Sequence, residues 1–204
     1  MYDAEFTHGY RKAVKTAKAP VETELKPIFR GKTAIYAITG EGIKTAIKLN
    51  NGLKDSVLFV PARFKSTIKD KEIIFIKKNA FLDETISRNW NKYDGHIFIM
   101  AAGIVVRKIA PLIKNKTTDP AVVVCDQAGN YAISLLSGHI GGGNRLANFA
   151  ARILGGQAVI STATDVQNLM AFDEMATIEG WKVENPEMIK TLNSMLLEGK
   201  RIAV

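Results

Sequence analysis

The sequence predicts an α/β protein: a three-layer α/β/α domain whose sheet is mostly parallel and includes one antiparallel hairpin. Three observations lead there. Short apolar runs recur along the chain without clean alternation, so both faces of each strand are covered, as in a parallel sheet between helical layers. Most runs are separated by segments with apolar residues at helical spacing. One pair, residues 122–125 and 131–136, is instead joined only by Asp126-Gln127-Ala128-Gly129-Asn130, whose glycine suits a positive φ; that pair reads as a hairpin.

Residues 1–32 stand apart as an N-terminal extension. They hold Pro20 and Pro27, a basic stretch from Arg11 to Lys18 and little apolar periodicity, with a helix expected around His8 to Lys18. From Thr33 the pattern changes. Residues 33–39 read as a strand, Gly40-Glu41-Gly42 as a tight turn, and Ile43, Ala46 and Ile47 as the apolar face of a helix. Strands follow at 57–60 before Pro61 and at 73–76, a helix at 81–90, a strand at 97–101 running into Gly103, and a helix at 104–113. After the hairpin, a glycine cluster opens a helix at 144–154. A strand at 158–161 and helices at 171–179 and 187–197 complete the order. The domain is assigned to residues 33–185, and 186–204 to the start of a linker toward a further domain.

Composition removes several function classes. The 204 residues carry one cysteine, Cys125, inside the apolar run Ala121-Val122-Val123-Val124-Cys125, so a disulfide scaffold is excluded and the thiol is expected to be buried. Every apolar stretch is interrupted well short of a membrane span, and the first residues lack a signal-peptide core, so a cytoplasmic protein without a membrane partner is expected. The formal charge is +8, yet the basic residues are spread rather than blocked and lack interleaved aromatics. A polyanionic small molecule is therefore preferred to nucleic acid. His8, His96, His139 and Cys125 are too scattered to give metal-ligand spacing, so no metal site is expected.

The segment Ser137-Gly138-His139-Ile140-Gly141-Gly142-Gly143-Asn144-Arg145 is the most informative, with four glycines in six positions between a strand and an amphipathic helix. Such glycines let a backbone approach a ligand and present free N–H groups, while the helix dipole favours an anion. The bland alternative is a helix start that needs glycine to turn sharply. Neither established glycine-rich nucleotide motif fits: the lysine-containing phosphate loop is absent, and Leu146 occupies the last position of the dinucleotide pattern. Within the loop, His139 is either a general base or a structural hydrogen-bonding group. Asp165, in Ser161-Thr162-Ala163-Thr164-Asp165, is the other candidate base. If the sheet is parallel, Met100-Ala101-Ala102-Gly103 with Arg107, and the turn carrying Thr162 and Thr164, would share one crevice at the carboxyl ends of the strands. Gly103, Arg107, Ser137, Gly138, Gly141, Gly142, Gly143, Asn144, Arg145, Thr162 and Thr164 are accordingly the expected substrate-binding residues. Asp119, before Pro120, reads as a turn former.

These motifs together resemble the N-terminal domain of the cobalamin-biosynthesis CbiG family, the cobalt-precorrin-5A hydrolases of the anaerobic corrin pathway. The resemblance is carried by residues 99–107, 119–124, 133–139 with Gly141 and Gly142, and Thr162-Ala163-Thr164-Asp165; it runs from about Thr33 onward. Where the family commonly has Glu, this chain has Gln127. The resemblance implies hydrolytic opening of the lactone of cobalt-precorrin-5A with release of acetaldehyde. Its substrate is a polyanionic corrinoid that itself carries the cobalt, so no cofactor is implied. It also implies a C-terminal domain as partner, either as a separate chain or in a longer protein of which this sequence is a fragment. Two other readings stay open: a corrinoid-binding domain without turnover of its own, and a nucleotide-binding α/β domain.

Overall fold

β1 (Thr33–Ala37) is buried at every position, because alternate residues serve two cores: Ile35 and Ala37 face one, Ala34 and Tyr36 the other. The computed structural model describes residues 29, 31–68, 73–77, 82–167 and 169–200, so the helix expected around His8 to Lys18 lies outside the described residues. After β1 come α1 (Gly40–Gly52), β2 (Ser56–Pro61), β3 (Ile73–Ile76), α2 (Asp83–Asn89), β4 (Gly95–Ile99) and α3 (Ala102–Ile109). β5 (Ala121–Cys125), β6 (Tyr131–Leu136), α4 (Gly143–Leu154), β7 (Gln157–Val159), α5 (Ala163–Val166), α6 (Phe172–Glu179) and α7 (Met188–Leu197) follow.

The strands form one sheet in the order β3-β2-β1-β4-β5-β6-β7, parallel throughout except between β5 and β6. Helices cover both faces. Ile43, Ala46 and Leu49 of α1 join Leu146, Ala147 and Ala150 of α4 on one face; Ile86 of α2 and Val105 and Ile109 of α3 pack on the other with Trp90. The three-layer α/β/α domain with a single antiparallel pair is thus the architecture the apolar runs imply.

Boundaries differ where local chemistry intervenes. The helix expected over 104–113 begins at Ala102, and its end tightens into a 3₁₀ turn over Ala110–Leu112, because Pro111 has no N–H to continue an α-helix. The four-residue α5 lies in a stretch read from sequence as a turn. Segment 186–204, expected to begin a linker, contains α7, whose Ile189 is buried. Cys125 is buried as expected, and burial pushes its thiol up to about 12. No helix among the described residues is long and apolar enough to cross a membrane.

His96 lies in the second core, fully buried and stacked between Trp90 and Phe98. Its ring nitrogens face the Trp90 carbonyl at 3.2 Å and the Tyr36 hydroxyl at 3.3 Å. A neutral ring satisfies both, donating from Nε2 to the carbonyl and accepting at Nδ1 from the hydroxyl. Burial lowers the imidazole pKa from its ordinary 6.5 to about 4. The unfolded chain therefore binds a proton that the folded chain refuses. Stability is full above about pH 6.5 and is expected to fall by ~3 kcal/mol from this group as the pH drops toward 4. Urea denaturation across that range, with the His96 ring followed by NMR, checks it: the ring should stay neutral down to about pH 4 in the folded chain.

Candidate active site

The direction of β6 decides where the chemistry collects. Because β6 runs against β5 and β7 runs with β6, both strands end at the sheet edge where β4 and β5 begin. The loop leaving β6 at Ser137 and the turn leaving β7 meet there. The expectation of a common crevice with Gly103 and Arg107 is corrected by this topology. Those two residues follow the carboxyl end of β4, at the opposite edge, where Arg107 bonds the Gly103 carbonyl of its own helix at 3.0 Å.

Where the loop and turn meet, His139 and Asp165 are hydrogen-bonded, Nε2 to Oδ2, at 3.0 Å. Thr164, itself buried, places Oγ1 3.1 Å from the same ring nitrogen. Asp165 Oδ2 also accepts from Asn144 Nδ2 at 3.1 Å and from the Thr162 hydroxyl, to which Asn144 Nδ2 donates as well, at 3.0 Å. Oδ1 of Asp165 has no hydrogen-bond partner among the described residues. The His139 and Asp165 side chains are 17% and 26% exposed, so the pair is sheltered yet within reach of water. The two candidate bases are therefore one unit, with Asn144, Thr162 and Thr164 holding it.

The glycine loop does not present the N–H groups expected of it. Those of Gly142, Gly143 and Asn144 donate at 2.9 Å to the carbonyls of His139, Ser137 and Gly138. Donors already engaged cannot cradle an oxyanion or a phosphate, so the loop at these three positions is folded onto itself. Its glycines answer to that folding. Gly142 has φ +81°, and a Cβ at Gly141 would collide with Ser137. Ser137, whose own φ is +55°, is tied by its hydroxyl to the Asp119 carbonyl at 2.9 Å, while the Asp119 carboxylate accepts from the Lys114 and Asn115 N–H groups as a turn former does.

Arg145 supplies the positive charge. It lines a crevice of about 540 Å³ with Gly141, Ile140, Thr117, Thr118 and Asp94. Its Nε is buried without a hydrogen-bond partner among the described residues. Burial lowers the guanidinium pKa from its ordinary value, against the opposing charges of Glu174 and Asp173. These two acids at the start of α6 were not anticipated. Asp173 Oδ2 lies 3.6 Å from His139 Nδ1, and the Glu174 carboxyl is raised first by burial and then by the charge of Asp165. From sequence, Asp173 and Glu174 look like ordinary acids of a helix first turn, which the helix dipole favours anywhere.

Comparison with known proteins gives this arrangement a context. Residues 84–165 match the family model described as Cobalamin synthesis G N-terminal. The chain is 35% identical over 175 residues to a cobalt-precorrin-5A hydrolase from Priestia megaterium, covering 86% of this chain and 46% of that protein. It is 36% identical over 172 residues to one from Salmonella typhimurium, with 84% and 47% coverage. The chain is thus similar to the cobalamin synthesis G proteins, through the N-terminal part of that family. A solved structure of a cobalamin biosynthesis protein G homolog from Sulfolobus solfataricus is 26% identical, with a TM-score of 0.47 over 85% of this chain and 50% of that one. The chain spans about half the length of the curated relatives it matches. Within the part matched by the cobalamin synthesis G N-terminal model lie His139, Asn144, Arg145, Thr162, Thr164 and Asp165; Asp173 and Glu174 lie beyond it.

Proposed function

We propose that this chain is the N-terminal part of a cytoplasmic cobalt-precorrin-5A hydrolase, opening the lactone of that corrinoid with release of acetaldehyde. The observation that carries the reading is the hydrogen-bonded His139–Asp165 pair, in a chain 35–36% identical to enzymes of that name. Three hydrogen bonds on Oδ2 fix the Asp165 carboxylate and leave Oδ1 for a water molecule. As that water attacks the lactone carbonyl, its proton passes to the His139–Asp165 pair, and the same pair returns a proton to the departing ring oxygen. Arg145, rather than the engaged loop N–H groups, offsets the negative charge on the carbonyl oxygen. The two-carbon fragment then leaves as acetaldehyde, with its bonding electrons taken up by the corrin ring of the substrate. No resident cofactor is required for these steps, because the cobalt belongs to the substrate.

The net charge of +8 suits a ligand with many carboxylates. A corrinoid polycarboxylate is expected to bind with a Kd on the order of micromolar at low salt and to weaken steadily as ionic strength rises. Calorimetry at several salt concentrations measures this; tight binding of ATP or NAD without corrinoid binding would overturn it. The remaining half of the relatives' length is proposed as a partner domain. Incubating the chain with cobalt-precorrin-5A and assaying acetaldehyde, with and without the C-terminal half of a relative, tests the activity. Release by the chain alone places the chemistry here. Release only with the added half makes this chain a corrinoid-binding part of a shared site, and none in either case overturns the assignment.

A further inference from the structure

The least expected feature of the site is a carboxylate behind the histidine. Asp173 is only 5% exposed, although an acid in the first turn of an eight-residue helix could serve the helix dipole equally well from the surface. Burying a carboxylate is costly unless it is paired and hydrogen-bonded. Its two oxygens have different partners: Oδ1 accepts from Asn193 Nδ2 at 3.1 Å, and Oδ2 faces His139 Nδ1 at 3.6 Å, an ion-pair approach longer than a hydrogen bond. Asn193 is held in turn, its Oδ1 accepting the Phe172 N–H at 2.9 Å. One amide on α7 thus caps the start of α6 and sets the rotamer of the acid beside it. His139 lies between Asp165 from α5 and Asp173 from α6, and Glu174 of α6 is close enough to feel the charges of His139, Asp165 and Arg145.

We infer that Asp173 is the positioning residue of this site: clamped by Asn193, it keeps a proton on Nδ1 of His139 and so turns Nε2 to the exchange with Asp165. The inference rests on the reading of His139 and Asp165 as the proton-transfer pair. Hydrogen-bond accounting supports it. The 3.0 Å contact between Nε2 and Asp165 Oδ2 needs one shared proton, which can shuttle between the two atoms only if the other ring nitrogen keeps its own. A carboxylate on the Nδ1 side favours a proton there; without it the ring can take the opposite tautomer and turn its bare nitrogen away from the reaction. Asp173 and Asn193 both lie beyond the segment matched by the family model, so the far end of the chain supplies the support for a pair inside it.

The test uses the full chain with ¹⁵N-labelled histidine, the His139 signals being assigned by their loss in His139→Ala. In the wild type at neutral pH, Nδ1 of His139 is expected to read as protonated. In Asp173→Asn that pattern should shift toward a bare Nδ1, with kcat for acetaldehyde release falling about tenfold or more and KM changing less than twofold. Asn193→Ala, which removes the clamp but keeps the acid, should move both readouts the same way by a smaller amount, about threefold in kcat, and stands in if Asp173→Asn does not fold. A bare Nδ1 in the wild type overturns the inference. So does an unchanged ring pattern in a folded Asp173→Asn chain, where only the melting temperature has moved. The ring signals need no substrate, so a chain without acetaldehyde release but with the expected ring response would reject the proposed activity and leave the positioning role standing.

Discussion

Asp165→Asn is expected to lower acetaldehyde turnover by roughly a hundredfold or more while leaving KM and Tm nearly unchanged. The amide keeps the shape of the carboxylate and one acceptor oxygen for Asn144 Nδ2 and the Thr162 hydroxyl, so the turn holds. What it loses is the capacity to take a proton, worth about 2.7 kcal/mol or more of barrier at a hundredfold. His139→Ala should cost a similar factor. Because the two side chains share one hydrogen bond, the double variant should lose no more than the worse single one. Steady-state kinetics with thermal melts on the three variants decide the matter. Losses that multiply would mean separate roles; full activity in His139→Ala would remove it from the mechanism and leave Asp165 acting alone. A fall in both affinity and Tm in that variant would instead mark His139 as a brace for the loop.

The sequence made the sheet readable because its strands are buried on both sides. Residues 33–37, 95–99 and 121–125 have no polar face to confuse the pattern, and the five strands they belong to or flank could be located within a few residues. The hairpin was readable from the loop at Asp126 to Asn130. Its consequence was not, because nothing local shows that β7 pairs with β6 rather than extending the parallel set on the other side. That one pairing moves the turn of Thr162 and Asp165 to the edge of His139 and away from Gly103 and Arg107. Proximity of His139 and Asp165 is thus a property of strand direction, whereas their candidacy came from residue type. Asp173 and Asn193 had neither signal. They sit 34 and 54 positions from His139, in helices whose sequences show only an ordinary acidic start and a polar residue among several others, and only the packing of α6 on α7 brings them behind the ring.

The glycine loop separates two readings that the sequence left together, and Gly141→Ala distinguishes them. A loop that uses glycine for ligand approach should tolerate the methyl group in the free protein, so Tm would hold while KM rises. The observed packing predicts the reverse. A Cβ at position 141 would drive into Cβ of Ser137 and lie 2.9 Å from its carbonyl oxygen. Ser137 has little room to yield, because its hydroxyl is bonded to the Asp119 carbonyl and its own carbonyl accepts the Gly143 N–H that starts α4. Relief therefore requires giving up a hydrogen bond or shifting the first turn of a helix whose Leu146 and Ala147 are in the core. A loss of about 2–4 kcal/mol is expected, lowering Tm by roughly 5–15 °C for a chain of this size. His139 lies between the two colliding residues, so its hydrogen bond to Asp165 should weaken as well, and kcat should fall in protein that is still folded at the assay temperature. Differential scanning calorimetry with kinetics below the lowered melting point reads both effects. An unaltered Tm with a raised KM would return the glycines to ligand contact and the oxyanion to the loop.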